Sequence, residues 1–261
     1  MVVLPPGTLL QLMFLQERLN MLSPGRFIEI GPGSGEITNL LLENGWRGTS
    51  FDLETATIDT LKIRFKAQIE RGDFSVRNDD FITAEPGETK VDLVISCMVM
   101  EHLDSEDELK YMQQAAKCLA AGGKMIGLVP ASPNHWGIED DIAGHFRRYT
   151  RQAILDLMQR ANWQHQYTAG LTFPVSNILL PVSNYLVQRA ENSKLELSKL
   201  ERTKLSGKRN VKFKTHFPSL LGVLLNKVTL LPLHWIQKAF NHSKSTLVLY
   251  FEVSPKSGSI K

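Results

Sequence analysis

Cysteine is nearly absent from the 261-residue sequence, which contains only Cys97 and Cys118. Two cysteines are too few for a disulfide framework, and their spacing is not that of a metal site. A small secreted protein held together by disulfides is therefore excluded, and a reduced, cytoplasmic setting fits best. With 43% hydrophobic and 22% charged residues, the chain also lacks the composition of a disordered or fibrous protein.

The sequence also lacks a strong net charge, because 30 Lys and Arg residues stand against 27 Asp and Glu residues. This balance does not suggest a dedicated nucleic-acid binder, and we expect no nucleic-acid partner. The basic residues are unevenly distributed, however. Eight of them, against two acidic residues, lie between Ser193 and Lys214.

A long uninterrupted hydrophobic run is lacking as well. The apolar stretch 217–235 is a poor candidate for a membrane-spanning helix, because it is interrupted by Asn226, Lys227, Pro232 and His234. The N-terminal stretch 1–19 is apolar but has no basic residue before its apolar part, and polar residues interrupt it early. We interpret it as an amphipathic helix of the mature protein and not as a signal peptide.

Most of the chain alternates strand-like and helix-like segments, which predicts a mostly parallel sheet with helices on both faces. The predicted strands are residues 26–31, 48–53, 74–78, 91–99, 124–129, 163–173 and 245–253. The predicted helices are residues 35–44, 55–70, 105–123 and 150–161. Thr55 and Ser105 are the expected first caps of their helices, and Ser105 forms a capping-box pattern with Glu108.

Four regions follow from this pattern. We expect an N-terminal helical segment at 1–25, a core at 26–173, a helical insertion or lid at 174–240, and the last strand with a tail at 241–261. Pro174 interrupts the alternation, and the insertion lies between two strands of the sheet instead of forming a separate globular domain.

The sharpest motif is a glycine-rich turn that links the first strand to the first core helix. It contains Gly31, Pro32, Gly33 and Gly35, preceded on the strand by Glu29. The spacing G-x-G-x-G is not the G-x-G-x-x-G of dinucleotide-binding proteins. A carboxylate before the turn favours a ligand with a positive charge, and S-adenosylmethionine (SAM), with its ammonium and sulfonium groups, meets that requirement.

Two further acidic positions follow the next strands. Asp52, followed by Leu53, ends the second strand, where a carboxylate can accept hydrogen bonds from both hydroxyls of a ribose. Asp79, Asp80 and Phe81 follow the third strand, where one of the two acids can bind the amino group of an adenine and the ring can lie beside it.

With these motifs, the chain resembles the class I SAM-dependent methyltransferases, specifically the type 11-like small-molecule group. The resemblance covers residues of about 26–173 and the last strand. It implies a Rossmann-like, doubly wound, seven-stranded sheet, with SAM as cofactor and S-adenosylhomocysteine as product. It implies further that the end of the fourth strand borders the cofactor, with Cys97, Met98 and His102.

The long loop 130–149 follows the fifth strand and is the expected acceptor site. His145 is the candidate general base, or alternatively a group that positions the acceptor. The candidate acceptor-binding residues are His135, Trp136, Arg147, Arg148 and Tyr149. An alternative stays open for the arginines, which can instead pair with Glu139, Asp140 or Asp141 and stabilise the loop.

The insertion 174–240 also has several interpretations. Its apolar stretches can pack on the sheet, cover a hydrophobic acceptor, or dock on an anionic membrane with the help of the basic residues. The protein is therefore expected to be cytoplasmic, with peripheral membrane association as an open alternative.

The function expected from the sequence is methyl transfer from SAM to a small or lipid-like acceptor. The choice of oxygen as the methylated atom rests on the frequency of this chemistry in the family that the chain resembles. The alternatives are an RNA or protein methyltransferase and a non-catalytic SAM-binding partner protein. Against the first, no N/D-P-P-Y motif ends the fourth strand, where residues 96–99 read Ser-Cys-Met-Val.

Overall fold

The computed structural model describes residues 3–87, 89–198, 201–203, 211 and 217–256. The strands are β1 (Arg26–Ile30), β2 (Arg47–Asp52), β3 (Phe74–Asn78), β4 (Val91–Cys97), β5 (Leu119–Pro130), β6 (Trp163–Leu171) and β7 (Val248–Pro255). The α-helices are α1 (Pro6–Leu19), α2 (Glu36–Glu43), α3 (Thr55–Arg64), α4 (Lys66–Glu70), α5 (Ser105–Cys118), α6 (Ile138–Ala143), α7 (Arg151–Arg160), α8 (Val175–Glu191) and, labelled α9, Leu231–Ala239.

The strands form one seven-stranded sheet in the order β3-β2-β1-β4-β5-β7-β6. Strands β1 to β5 pair in parallel. The first strand, β1, lies inside the sheet, with β2 and β3 added on one side and β4 and β5 on the other. The sheet as a whole is mostly parallel with one antiparallel hairpin. The predicted α/β class and the doubly wound, seven-stranded sheet are confirmed.

The residues fall into two compact units. The sheet unit comprises residues 22–129, 151–168 and 250–261, and the helical unit comprises residues 1–21, 130–150 and 169–249. In this division the N-terminal segment, the loop 130–149 and most of the insertion belong to the helical unit. The four regions expected from the sequence stay a prediction.

Aromatic rings fill the sheet unit. Phe81 packs edge-to-face on Phe51 and on Tyr111, with ring centroids 5.6 and 5.5 Å apart. Where β5 passes Phe251, a glycine is required, because a Cβ atom at Gly127 would lie 2.1 Å from the ring of that residue. Such tight packing is typical of strands that are covered on both faces.

Three details of the helices differ from the prediction. The expected helix 55–70 is two helices, α3 and α4, divided at the buried Phe65. The first of them follows Glu54 as its capping residue, so Thr55 is already helical. Helix α5 is capped by Asp104, whose Oδ1 accepts the amides of Glu106 and Asp107 at 2.9 Å each. A carboxylate one residue earlier than Ser105 therefore takes the capping role.

Helix α5 also ends at Cys118, earlier than the glycines that were expected to end it. The next strand, β5, begins at once with Leu119, which pairs with Val91 of β4. The register then shifts, and Gly122 takes a positive φ of 82° in this irregularity. The glycines therefore serve a bulge within the strand and not the end of the helix.

The helical unit is built on α1. Leu9 and Met13 of this helix pack against Leu230, and Leu225 and Leu233 extend the cluster. Most of the basic stretch 193–214 lies outside the described residues. Among the helices that the structure describes, none is long and apolar enough to cross a membrane.

Candidate active site

The glycine-rich turn lies between β1 and α2, as predicted. Gly31, Gly33 and Gly35 all take positive φ angles, of 67°, 54° and 83°. A Cβ atom at Gly31 would lie 2.6 Å from Val99, and one at Gly35 would lie 2.7 Å from the ring of Phe65. At Gly33 a Cβ atom would meet nothing within 4 Å, so this side of the turn is open. Packing therefore requires two of the glycines, while the third leaves room for a ligand.

Glu29 is buried at the end of β1. Its Oε2 accepts hydrogen bonds from the hydroxyls of Thr38, at 2.5 Å, and Ser50, at 2.8 Å. Burial raises the pKa of this carboxyl group from 4.5 to about 7, against the effect of the hydrogen bonds and with a small contribution from the charge of Asp52. Glu29 is thus poised to lose a proton when a cation approaches.

Asp52 is the last residue of β2. Its Oδ1 accepts the amide of Glu54 at 2.8 Å, which fixes the carboxylate in a short turn. The neighbouring Leu53 is exposed. The amide group of Asn78, at the end of β3, donates to the carbonyl of Asp52 at 3.0 Å and links the two strand ends.

Asp80 and Phe81 follow β3, as predicted, but their environments differ. Oδ1 of Asp80 accepts the amide of Ile82 at 2.9 Å, and the carboxylate is partly exposed. The ring of Phe81 is buried between Phe51 and Tyr111. Phe81 is thus a core residue, and its place beside an adenine ring stays a prediction.

The end of β4 carries Cys97, Met98 and His102. Burial, with the charges of Glu101 and Glu29, raises the pKa of the Cys97 thiol to about 12, which favours the neutral thiol over the thiolate. Met98 has a positive φ of 56°, and its amide donates to the carbonyl of Leu128 at 2.8 Å. The backbone therefore turns sharply as it leaves the strand.

The parallel sheet brings these positions to one edge. Strands β3, β2, β1 and β4 are neighbours in that order, and each ends in one of the predicted positions. The glycine-rich turn, two acids and the end of β4 therefore lie side by side at the carboxyl edge of the sheet. This is the place where open α/β sheets bind their ligands.

Glu101 belongs to the same edge, and the sequence interpretation missed it. It is completely buried in the short 3₁₀ helix Met100–His102. Its charge helps to raise the pKa of the Cys97 thiol and the pKa of the Tyr111 hydroxyl. For both groups burial is the larger cause. An acid within the apolar run 91–103 was the available signal.

In the helical unit, the loop 130–149 is organised around one buried carboxylate. The carboxylate of Asp140 accepts three hydrogen bonds. The donors are Nδ1 of His145 at 2.8 Å, Nε of Arg148 at 2.9 Å and the backbone amide of Gly137 at 2.9 Å. Burial alone would raise the pKa of Asp140, but His145, Arg148 and the amide of Gly137 together hold the pKa below its usual range. Asp140 is therefore an anion that orients the His145 ring.

Arg148 has the acidic partner that the sequence offered as an alternative to acceptor binding. Its Nε atom pairs with the Asp140 carboxylate, and its Nη1 atom donates to the carbonyl of Ala131 at 3.2 Å. These contacts are those of the loop-stabilising role, and the expected role of Arg148 in acceptor binding stays a prediction. Arg147 is half-buried, and its expected role in acceptor binding stays a prediction.

The other candidate acceptor residues differ in exposure. Nδ1 of His135 is 2.8 Å from the hydroxyl of Ser132, and Nε1 of Trp136 donates to Asp141 at 3.0 Å. The Trp136 ring is exposed, as is that of Phe146, a residue that the sequence interpretation did not select. Tyr149 is buried and pairs with Ala131 through a β-bridge. Tyr149 is therefore a structural residue of the loop, and its predicted contact with an acceptor stays a prediction.

Helix α8 packs on the short helix α6 of this loop. The hydroxyl of Ser183 donates to Glu139, and Asn184 lies against Gly137. The opposite face of α8 exposes an apolar stripe at helical spacing, Ile178, Val182 and Tyr185. The loop with His145 is thus bordered by an exposed apolar helix face within the same unit.

Comparison with known proteins agrees with this architecture. A family model described as a methyltransferase domain matches residues 9–167. No curated protein sequence matches the chain significantly.

Several solved structures share the fold. The glycopeptide N-methyltransferase MtfA matches 97% of this chain and 91% of its own, with a TM-score of 0.55 and 12% identity. It has also been solved with SAM bound. A TehB-like SAM-dependent methyltransferase from Corynebacterium glutamicum covers 95% and 86%, with a TM-score of 0.51 and 14% identity.

A third similar structure contains two bound small molecules. The 1,6-didemethyltoxoflavin-N1-methyltransferase of Burkholderia thailandensis covers 62% of this chain and 70% of its own. Its TM-score is 0.51 at 18% identity, and it was solved with 1,6-didemethyltoxoflavin and S-adenosylhomocysteine bound.

Proposed function

Because the chain belongs to the methyltransferase-domain family and is a SAM-dependent methyltransferase, we propose that it methylates a hydroxyl oxygen of a small, partly apolar molecule. The observation that carries this proposal is the buried Asp140 that holds His145 by its Nδ1 atom. A histidine oriented in this way is suited to remove a proton from a hydroxyl group.

The residues at the carboxyl edge of the sheet fit the cofactor. In this proposal Glu29 and the 31–35 turn hold its methionine end, Asp52 and Leu53 its ribose, and Asp80 and Phe81 its adenine. The end of β4 borders it, with Cys97, Met98 and His102. The fit is supported by the open side of Gly33 and by the readiness of Glu29 to become anionic beside a cation. When bound, SAM supplies a methyl group already activated by the sulfonium.

His145 has the role of general base. The Asp140 carboxylate accepts the Nδ1 proton, so Nε2 of the neutral ring is the nitrogen that takes a proton. Asp140 is a positioning residue, because it fixes the tautomer and the direction of the ring. Arg148 supports it by holding the same carboxylate.

The acceptor surface of the helical unit favours a molecule with an apolar part. Trp136 and Phe146 are exposed on the loop, and the stripe of α8 adds Ile178, Val182 and Tyr185. We therefore propose a lipid-like or aromatic alcohol or phenol as the acceptor class. His135 and Arg147 are the polar groups that would orient it.

The raised pKa of Glu29 predicts that SAM affinity depends on pH. At pH 6 most Glu29 carboxyl groups carry a proton, and a cation must displace it before it binds. At pH 8 the group is already ionised. For a pKa of about 7, we expect SAM to bind about tenfold more weakly at pH 6 than at pH 8, as measured by calorimetry.

The variant Glu29→Gln isolates this effect, because glutamine resembles the protonated acid at every pH. Its SAM affinity is expected to vary little with pH and to lie at or below the weak value that the wild type has at pH 6. Glu70→Gln, on the exposed end of α4, is the matched control and should keep the full pH dependence. A wild-type affinity that does not change with pH would contradict the role of Glu29.

The acceptor class is tested by labelling. Purified protein and methyl-labelled SAM are added to a host extract, which is then separated into lipid, small-molecule, protein and nucleic-acid pools. Asp52→Ala serves as the control with impaired cofactor binding. We expect label in the lipid or small-molecule pool, in a product whose methyl group is stable to mild base, as expected of an ether.

Two outcomes would overturn this proposal. Label in protein or RNA would assign the enzyme to a macromolecular acceptor. Label lost in mild base would indicate a methyl ester, formed on a carboxylate that needs no general base.

A further inference from the structure

Helix α9 has its polar and apolar faces reversed. His234 and Gln237 are each only 1% exposed, whereas the Trp235 ring is 64% exposed and Phe240, just after the helix, is 50% exposed. A helix on the surface of a water-soluble domain shows the opposite arrangement. The outward face of α9 is therefore suited to an apolar environment.

The buried polar residues of α9 are fully engaged, so the reversal is built into the packing. Gln237 donates to the carbonyl of Leu10 at 2.9 Å and to His234 Nδ1 at 2.8 Å, and it accepts the amide of Thr172 at 2.9 Å. Nε2 of His234 lies 2.9 Å from Glu17 of α1. A rotation of α9 that buried Trp235 would break all of these bonds.

The segment before α9 continues the same pattern. Leu225 and Leu233 pack on the α1 cluster with Leu230, so the inward sides of both segments face the same helix. The outward-pointing residues of the segment before α9 are large and apolar. Leu220 is 82% exposed and Val228 is 81% exposed, and Val223 and Leu224 are also exposed. We call the outward residues of these segments, Leu220, Val223, Leu224, Val228, Leu231, Trp235, Ile236 and Phe240, the apolar face.

The sequence of the segment that carries the apolar face is basic, although Glu17 of α1 pairs with Lys238 of α9 at 2.7 Å. From Arg202 to Phe251 the sequence contains nine Lys and Arg residues and no Asp or Glu. Lys227 lies within the segment of the apolar face, and Lys244 follows it, both exposed. A second copy of the chain would bring like charges together across a two-fold axis. An anionic surface is complementary to both the charge and the apolar side chains.

We propose that the apolar face inserts into the interface of an anionic lipid membrane. Exposed Trp, Phe and Leu side chains next to lysines are the composition of interfacial elements that lie in the membrane surface without crossing it. Helix α9, with nine residues, is too short to span a bilayer. This inference is independent of the proposed acceptor, although a membrane-dissolved acceptor would explain why the enzyme docks.

Tryptophan fluorescence gives a direct test with the 261-residue chain. Vesicles of phosphatidylcholine with roughly one third phosphatidylglycerol are titrated in at low salt, and vesicles of phosphatidylcholine alone serve for comparison. We expect binding and a blue shift of the emission with the anionic vesicles. The shift should disappear in Trp235→Phe and persist in Trp136→Phe, because Trp46 and Trp163 are buried.

Vesicle flotation separates the apolar and electrostatic contributions. Leu220→Ser with Val228→Ser is expected to lower the partition coefficient at least about tenfold, because two exposed side chains no longer enter the interface. Lys227→Glu should lower it by about tenfold as well. Ile63→Ser in α3 of the sheet unit is the matched control, since Ile63 is 80% exposed, and it should bind as the wild type does.

The proposal is overturned if the wild type does not bind anionic vesicles at low salt, or if Ile63→Ser weakens binding as much as the double variant does. It is also overturned if the wild type is a dimer that the double variant dissociates while vesicle binding is absent, since a second copy then covers the apolar face. SAM affinity, measured for every variant, confirms that the sheet unit is folded and separates this test from that of the proposed function.

Discussion

Replacement of His145 by alanine is expected to lower kcat by about 100-fold or more and to leave SAM affinity unchanged. The proposed task of His145 is to take a proton from the acceptor hydroxyl, and Asp140 keeps its ring in the required tautomer. In the proposed mechanism His145 acts on the acceptor hydroxyl and not on the cofactor, so removal of the imidazole should not alter SAM affinity. Single-turnover kinetics with the identified acceptor, together with calorimetry for SAM, measure the two effects separately.

Two further variants make this test specific. Asp140→Asn should lower kcat by less than the loss of the imidazole does, and should shift the pH profile of kcat, because the ring loses the carboxylate that orients it. His165→Ala is the matched control, since this exposed histidine lies on β6 and its side chain bonds to the nearby Thr168. If His145→Ala turns over at the wild-type rate, methyl transfer proceeds by proximity and alignment alone.

Replacement of Asp52 by alanine has the second large expected effect, a loss of SAM affinity of about 100-fold. The carboxylate is proposed to accept two hydroxyls of the ribose, and hydrogen bonds to a charged group contribute about 1.5 to 3 kcal/mol each. At a SAM concentration that saturates the wild type, the activity of the variant should be lower than that of the wild type. It should recover in part when more SAM is supplied. Calorimetry with SAM and with S-adenosylhomocysteine measures the affinities.

Asp59→Ala provides the control for Asp52→Ala. Asp59 is an exposed acid on α3, only seven positions away, and its nearest ion-pair partner is Lys62 at 3.9 Å. Its removal changes the net charge by the same amount without touching the strand end. An Asp52→Ala variant that binds SAM as tightly as Asp59→Ala does would remove Asp52 from the cofactor site.

The two replacements therefore give opposite signatures. The Asp52 variant should lose cofactor affinity and recover rate with added SAM. The His145 variant should bind SAM normally and stay slow at every SAM concentration.

Local sequence was sufficient for the main elements of the sheet unit. A short apolar run, three glycines and a helical pattern identify β1, the turn and α2, because each residue type has a strong local preference there. Asp52 and Asp80 were found for a similar reason, since strands in a parallel sheet end at the same edge. Local chemistry was less decisive at the start of α5, where Asp104 and Ser105 are both good caps and only the backbone geometry selects Asp104.

The residues that sequence interpretation missed depend on direction and burial. Three adjacent acids, Glu139, Asp140 and Asp141, were equivalent partners for an arginine in the sequence. Only Asp140 points inward, because it is the third residue of α6 and its carboxylate also accepts the amide of Gly137. Glu101 was overlooked for the opposite reason, since an acid in an apolar run is normally expected at the surface and here it is completely buried.

The sequence by itself determined the class of the protein, because the glycine-rich turn and the acids after successive strands require only neighbouring residues and the parallel arrangement that strand–helix alternation predicts. The tertiary structure alone decided which face of each helix is covered. The composition of α9 is equally compatible with a buried Trp235 and an exposed His234. Packing against α1 reversed that order, because Glu17, Leu10 and Thr172, all distant in sequence, bind the polar side chains of α9 from within.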